Sequence, residues 1–234
     1  MLREFENLFE GRMYRHRSSN QGDSVAIRLY EDLRAIEPTL KLAAAVRQRS
    51  VLPDVQNRRR GIDARRGEGT FGERIPSGVA VVDPVNVAAR GSIATVGIGV
   101  KVKVLAKAMI KQIGRVVKDL RNQATQFRTG GGNPICVAIV GVNHAERYLS
   151  YEGDTSFPTT GHGRFMHPYQ EAPEAERRLI ADAAPAFDEF LILRFRATNQ
   201  SPYAFEWVNY KDVRLDYAAA LTRICNRCQQ RCLG

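Results

Sequence analysis

From Asp23 onward apolar residues recur at three- and four-residue steps: Val25, Ile27, Leu29, Leu33, Ile36, Leu40, Leu42 and Ala43 to Ala45. That spacing predicts one face of a helix, with Asp23 or Ser24 placed to cap it and Pro38 placed to break or kink it. Residues 1–22 are polar and irregular, and they read as an N-terminal arm that orders only by docking on something. Residues 50–77 are basic and glycine-containing and predict a connection. Two strands follow, Gly78 to Asp83 and Ser92 to Val104, the second a β-branched run with period-two alternation in its later half.

The most regular pattern starts at Leu105. At 100° per residue, Leu105, Met109, Ile113, Val116, Leu120, Ala124 and Phe127 share one side of a helix. Lys107, Lys111, Arg115 and Lys118 fall within about 80° of each other on the opposite side. Thr129-Gly130-Gly131-Gly132-Asn133-Pro134 ends the helix, and the apolar run Ile135 to Val142 reads as a strand covered on both faces. Strand, helix and strand in this order imply a right-handed crossover and a parallel pair. Beyond His144, the polar stretch Glu152 to Gln170 is of a length typical of lids, binding loops or disorder. A helix over 171–184, a strand from Phe187 to Ala197 and a terminal helix from Val213 to Cys232 complete the layout. The expected fold is α/β: a mixed central sheet flanked by helices over 23–145, with a C-terminal helix-strand-helix extension over 146–234 packed on the same domain.

Charge changes this picture most. Thirty-five Lys and Arg against twenty-five Asp and Glu leave +10 at neutral pH. Nucleic acid, an anionic membrane surface and mere solubility all explain such an excess, and clustering favours nucleic acid. One cluster is Arg58, Arg59, Arg60, Arg65 and Arg66; the other is the ridge of Lys107, Lys111, Arg115 and Lys118. No aromatic residues of the kind that stack single-stranded bases interleave the ridge, which favours duplex or backbone contact, with DNA ahead of RNA. No run reaches the length of a membrane span, no signal peptide is recognisable, and four cysteines make no disulfide framework, so a cytoplasmic setting is expected.

Lys101-Val102-Lys103 places two long side chains on one face of a strand, with Asp83 at the end of the strand before it and Gln112 on the helix after it. With Val100 to Ile113 and Asn133 to His144, this arrangement resembles the PD-(D/E)XK superfamily, the restriction-endonuclease-like fold, over roughly residues 23–144. The resemblance implies a phosphodiester hydrolase using Mg²⁺, with Asp83 as a metal ligand, Lys103 as the motif lysine, and a homodimer or larger assembly as the working form. In such chemistry carboxylates hold the metal and the metal lowers the pKa of the attacking water. This sequence departs from the pattern at Lys101, where the superfamily has Glu or Asp; an ammonium repels a cation. Three explanations stay open: the second carboxylate comes from elsewhere, Glu73 and Asp63 being nearest in sequence; the site is degenerate and kept for binding; or this copy carries a charge-reversing substitution. The expected function is accordingly a DNA-binding, Mg²⁺-dependent endonuclease, or else a non-catalytic nucleic-acid-binding or assembly component on the same fold. A structural protein whose charge meets an acidic protein surface is the third reading.

Three other features are weaker. Asn143 and His144 sit just past a parallel strand, at the edge where α/β folds place their sites. His162, Arg164 and His167 lie on the long polar stretch, where an exposed histidine with no duty is the simpler reading. Cys225, Cys228 and Cys232 form one stripe of the terminal helix, where packing or a subunit contact is favoured over a three-thiolate metal site.

Overall fold

The computed structural model describes residues 1–15, 21–36, 51–54, 68–74, 81–82, 89–90, 93–129 and 133–231. Its helices are α1 (Leu2–Glu6), α2 (Gln21–Ala35), α3 (Met109–Arg128), α4 (Pro168–Arg178) and α5 (Tyr210–Arg231). Its strands are β1 (Val51–Asp54), β2 (Glu68–Arg74), β3 (Val81–Val82), β4 (Ala89–Arg90), β5 (Ile93–Leu105), β6 (Ile135–Asn143), β7 (Leu149–Glu152), β8 (Thr155–Pro158), β9 (Glu189–Ala197) and β10 (Phe205–Trp207). Six of them form one mixed sheet in the order β1-β2-β5-β6-β9-β10, while β3-β4 and β7-β8 are separate two-stranded ribbons. The expected mixed α/β architecture is present, with antiparallel pairs at both edges and the parallel run β5-β6-β9 at the centre.

Two apolar layers hold the sheet. Ile98, Val100, Val102, Ile135, Val137 and Ile139 pack with Val25, Leu29 and Leu33 of α2 and with Val213, Ala220 and Ile224 of α5. Residues of the other parity, Ala138, Val140 and Val142, pack with Met109, Ile113, Val116 and Leu120 of α3 and with Ala172 and Ala175 of α4. Alternation along β5 and β6 thus sends neighbouring residues to opposite layers, and all nine residues of β6 are buried. Glycines allow the closest approaches. A Cβ at Gly99 would stand 2.4 Å from the Phe127 ring of α3, and one at Gly141 would stand 2.4 Å from Phe5 of α1.

The arm docks on the chain's own core. Phe5, Leu8, Phe9 and Tyr14 are buried there, and Phe5 and Phe9 contact Phe195 and Phe205 ring to ring. Asn199 secures its end by accepting from Tyr14 N–H (2.7 Å) and donating to Tyr14 O (3.1 Å) and Leu149 O (2.8 Å).

Several sequence expectations are corrected. The 50–77 connection contains β1 and β2, and β2 is the sheet neighbour of β5. Of the strand expected over Gly78 to Asp83, the described part is Val81–Val82, which pairs with Ala89–Arg90 in a ribbon separate from the six-stranded sheet; the other positions lie outside the described residues. Leu105 remains in β5, paired in register with Val142, so α3 begins only at Met109 and Lys107 lies in the turn before it. The Glu152 to Gln170 stretch is ordered, comprising the last residue of β7, the hairpin turn, β8, a 3₁₀ turn at Gly163–Phe165 and the start of α4. Cys225 and Cys228 face the core, as packing requires, and Cys232 lies outside the described residues.

Candidate functional site

Because Gly99 abuts Phe127, residues of the same parity along β5 face α3, and Lys101 and Lys103 are therefore on that side of the sheet. Lys101 is fully buried and has a partner. Lys103 Nζ lies 2.5 Å from Asp119 Oδ2 of α3, both side chains being about one quarter exposed. One turn further along α3, Gln123 is fully buried and neither its Nε2 nor its Oε1 has a hydrogen-bond partner among the described residues. A polar layer thus lies under one flank of α3, and it uses the lysine pair inside the fold.

The carboxylates fall differently from the expectation. Across the β2-β5 ladder, Glu68 is the Cα partner of Lys101. Glu73 is paired with Thr95, six residues back along β5, a separation of roughly 20 Å at about 3.3 Å per residue. Glu73 is therefore not the acid in register with the lysines. Asp83, Asp63, Arg58, Arg59, Arg60, Arg65 and Arg66 lie outside the described residues. Gln112, expected to serve the site, donates from Nε2 to Lys107 O at 3.0 Å and closes the turn into α3. Glu68, Asp119 and Gln123 went unseen in the sequence. Asp119 and Gln123 were legible as polar positions beside the apolar stripe of α3, whereas the two glycines in Glu68–Arg74 hid β2.

On its outer side α3 exposes Lys111, Arg115 and Lys118, opposite the buried Ile113, Val116 and Leu120. Lys107 leaves this ridge: its Nζ donates to Ser150 Oγ of β7, and burial lowers its pKa. Arg178 of α4 adds a cation beside Gly114, its Nη2 lying 3.7 Å from where a Cβ would stand. The helix start lacks a cap of its own, since Ala108 adopts left-handed geometry (φ 49) without a side-chain hydrogen bond. Glu171 of α4 supplies it, accepting from Met109 N–H at 3.0 Å and Ile110 N–H at 3.3 Å. A carboxylate there also suits the helix dipole.

At the carboxyl end of the parallel strands, Asn143 is fully buried and bonds to Ala106 O, Ala197 O, Ala145 N–H and Ala197 N–H. It staples the ends of β5, β6 and β9. His144 Nε2 lies 2.7 Å from Glu176 Oε1, and Arg194 grips the same carboxylate through Nε (2.9 Å) and Nη2 (2.8 Å). Burial opposes ionisation of Glu176, but the His144 and Arg194 hydrogen bonds outweigh it and hold the carboxyl below the usual glutamate range. His162 and Arg164 are exposed, while His167 Nδ1 lies 2.8 Å from Thr159 Oγ1.

Among the described residues no group of three or more His, Cys, Asp or Glu side chains is placed to hold a metal ion. Asp119, the carboxylate beside Lys103, is already engaged by that lysine. Of the carboxylates expected to hold Mg²⁺, Asp83 and Asp63 lie outside the described residues. Burial raises the Cys136 thiol to about 11 and the Cys225 thiol above its usual value, which keeps both protonated. No helix among the described residues is long and apolar enough to cross a membrane. No protein-family model, curated protein or solved structure matches this chain.

Proposed function

We propose that this chain is a non-catalytic nucleic-acid-binding module on a restriction-endonuclease-like fold, gripping the phosphate backbone of duplex DNA with the outer face of α3. One observation carries the reading. Lys111, Arg115 and Lys118 stand exposed along one helix face, and no carboxylate among the described residues pairs with them, while Lys101 and Lys103 are used inside the fold. The order helix α2, antiparallel strands β1-β2-β5, helix α3 and parallel strand β6 supports the fold assignment.

Three phosphate contacts give a log-log salt slope of about −2.7, at roughly 0.9 per contact. Fluorescence anisotropy of a labelled duplex across a KCl series measures it, and the K111E/R115E/K118E variant is expected to lose binding. A wild-type protein that ignores duplex DNA at low salt, or a variant that binds it equally well, overturns the reading.

The hydrolytic alternative is kept by the register of Glu68 with Lys101, which puts an acidic residue opposite the lysine pair. It predicts cleavage of supercoiled plasmid in Mg²⁺ or Mn²⁺ that Lys103→Ala abolishes. Absence of cleavage in either metal removes it.

A further inference from the structure

Seven large apolar side chains are exposed among the described residues, and three of them, Phe157 (36%), Phe165 (41%) and Tyr169 (47%), fall within one short segment. Three exposed aromatic rings this close in sequence offer apolar faces to a partner, whereas singly scattered exposed apolar residues need no explanation. The same segment borders a cavity of about 250 Å³ lined by Arg147, Thr159, Thr160, His167, Thr198 and Gln200, with no carboxylate in its wall. The cavity lies just past the ends of β6 and β9, the edge where sheets with parallel cores place their ligands. Its volume holds a phosphate together with the sugar attached to it, and lies just below the usual range for drug-sized ligands.

The surface is preformed. Thr160 N–H and Gly161 N–H both donate to Phe165 O, at 2.6 and 2.9 Å, which closes the loop and fixes Phe165. Gly161 (φ 81) leaves room for the His167 ring, which occupies the space a Cβ would fill at 2.7 Å. The His167 and Tyr169 rings are stacked 15° from parallel, and the Arg164 guanidinium sits 5.7 Å over Phe165. Thr159 Oγ1 accepts the Tyr148 N–H, so its own hydrogen is free for His167 Nδ1.

We propose that this segment binds an unpaired nucleic-acid strand, seating a backbone phosphate in the cavity against Arg147 and the Thr198 hydroxyl and stacking bases on Phe165 and Tyr169. The inference rests on the nucleic-acid reading above and adds to it a second surface of different chemistry. Aromatic faces beside cations suit single strands, whose bases are free to stack; the ridge of α3 offers charge alone and suits duplex. Lys107 ties the two surfaces together, since it stands at the entry to α3 and holds Ser150 of the hairpin.

Anisotropy titrations with a labelled oligothymidylate and with a labelled duplex test this. F165A/Y169A is expected to weaken oligothymidylate binding by roughly tenfold or more and to leave duplex binding within about twofold. R147A is expected to act the same way with a smaller loss, and K111E/R115E/K118E in the reverse sense. Thermal melting checks that each variant is folded, and R147A serves should the double variant fail. Oligothymidylate affinity unchanged in F165A/Y169A and R147A, or reduced equally for both probes, overturns the proposal and leaves the aromatic patch to a protein partner. Wild-type binding of duplex but not oligothymidylate overturns it while sparing the α3 reading; the opposite result overturns the α3 reading alone.

Discussion

Asp119 of α3 holds Lys103 of β5, with Oδ2 and Nζ 2.5 Å apart, one helical turn before the buried Gln123. This contact turns a strand lysine that the sequence offered to a phosphate into a clasp between the sheet and the helix that covers it. About three quarters of each side chain is out of water, so the pair loses less to screening than a surface pair does. A double-mutant cycle with Lys103→Ala and Asp119→Ala, read by urea denaturation, is expected to give a coupling of about 1 kcal/mol. Coupling indistinguishable from zero would mean the clasp does not form in solution.

Gln123 offers a contrasting test. A buried amide without partners costs about 1–3 kcal/mol relative to a satisfied one. Gln123→Met keeps the side-chain length and removes the amide, so it is expected to raise the unfolding free energy by about 1 kcal/mol. A clear loss of stability instead would reveal that the amide has a partner in solution.

Glu171 caps α3 from another helix, so its loss unbinds two N–H groups and weakens the α3-α4 contact together. Glu171→Ala is expected to cost about 1–2 kcal/mol, at the upper end for a helix cap, because the carboxylate is buried. Hydrogen exchange should quicken first at Met109 and Ile110. Protection unchanged at those two amides would argue that the cap is not used.

The Glu176 cluster sets an acid limit. Its folded carboxyl titrates below the unfolded one, so its contribution to stability is complete above the unfolded value and is lost as pH falls through the folded value. The stability difference between wild type and Glu176→Gln should be largest above about pH 5 and should shrink below about pH 4. Denaturation midpoints of the two proteins running parallel across that window would refute the assignment.

How much of this was legible follows from the range of the forces involved. The apolar stripe of α3 and the unbroken run of β6 were readable because helix and strand periodicities are local; burial bears out Met109 to Phe127 of the stripe and adds Val117 and Gln123, while Leu105 stays in β5. The basic ridge was readable for the same reason, except at Lys107, where the parallel pairing of Leu105 with Val142 delays the helix past it. β2 was not readable, since Glu68–Arg74 has two glycines and charged ends and becomes a strand only by pairing with β5. The arm was read as polar, yet Phe5 and Phe9 find their cover on Phe195 and Phe205, nearly two hundred positions along the chain.

The candidate site divides the same way. By itself the sequence determined that two lysines share one strand face and placed four cations, Lys107, Lys111, Arg115 and Lys118, on one helix face, of which Lys107 alone fell before the helix; both follow from backbone periods of two and 3.6 residues. Only the tertiary structure decided what those faces meet. It buried Lys101 under α3, gave Lys103 to Asp119, put Glu68 rather than Glu73 opposite Lys101, and left Lys111, Arg115 and Lys118 in water. The reason is physical: a side chain's direction is set within a few residues, but its partner is set by strand register and helix docking, which depend on the whole chain.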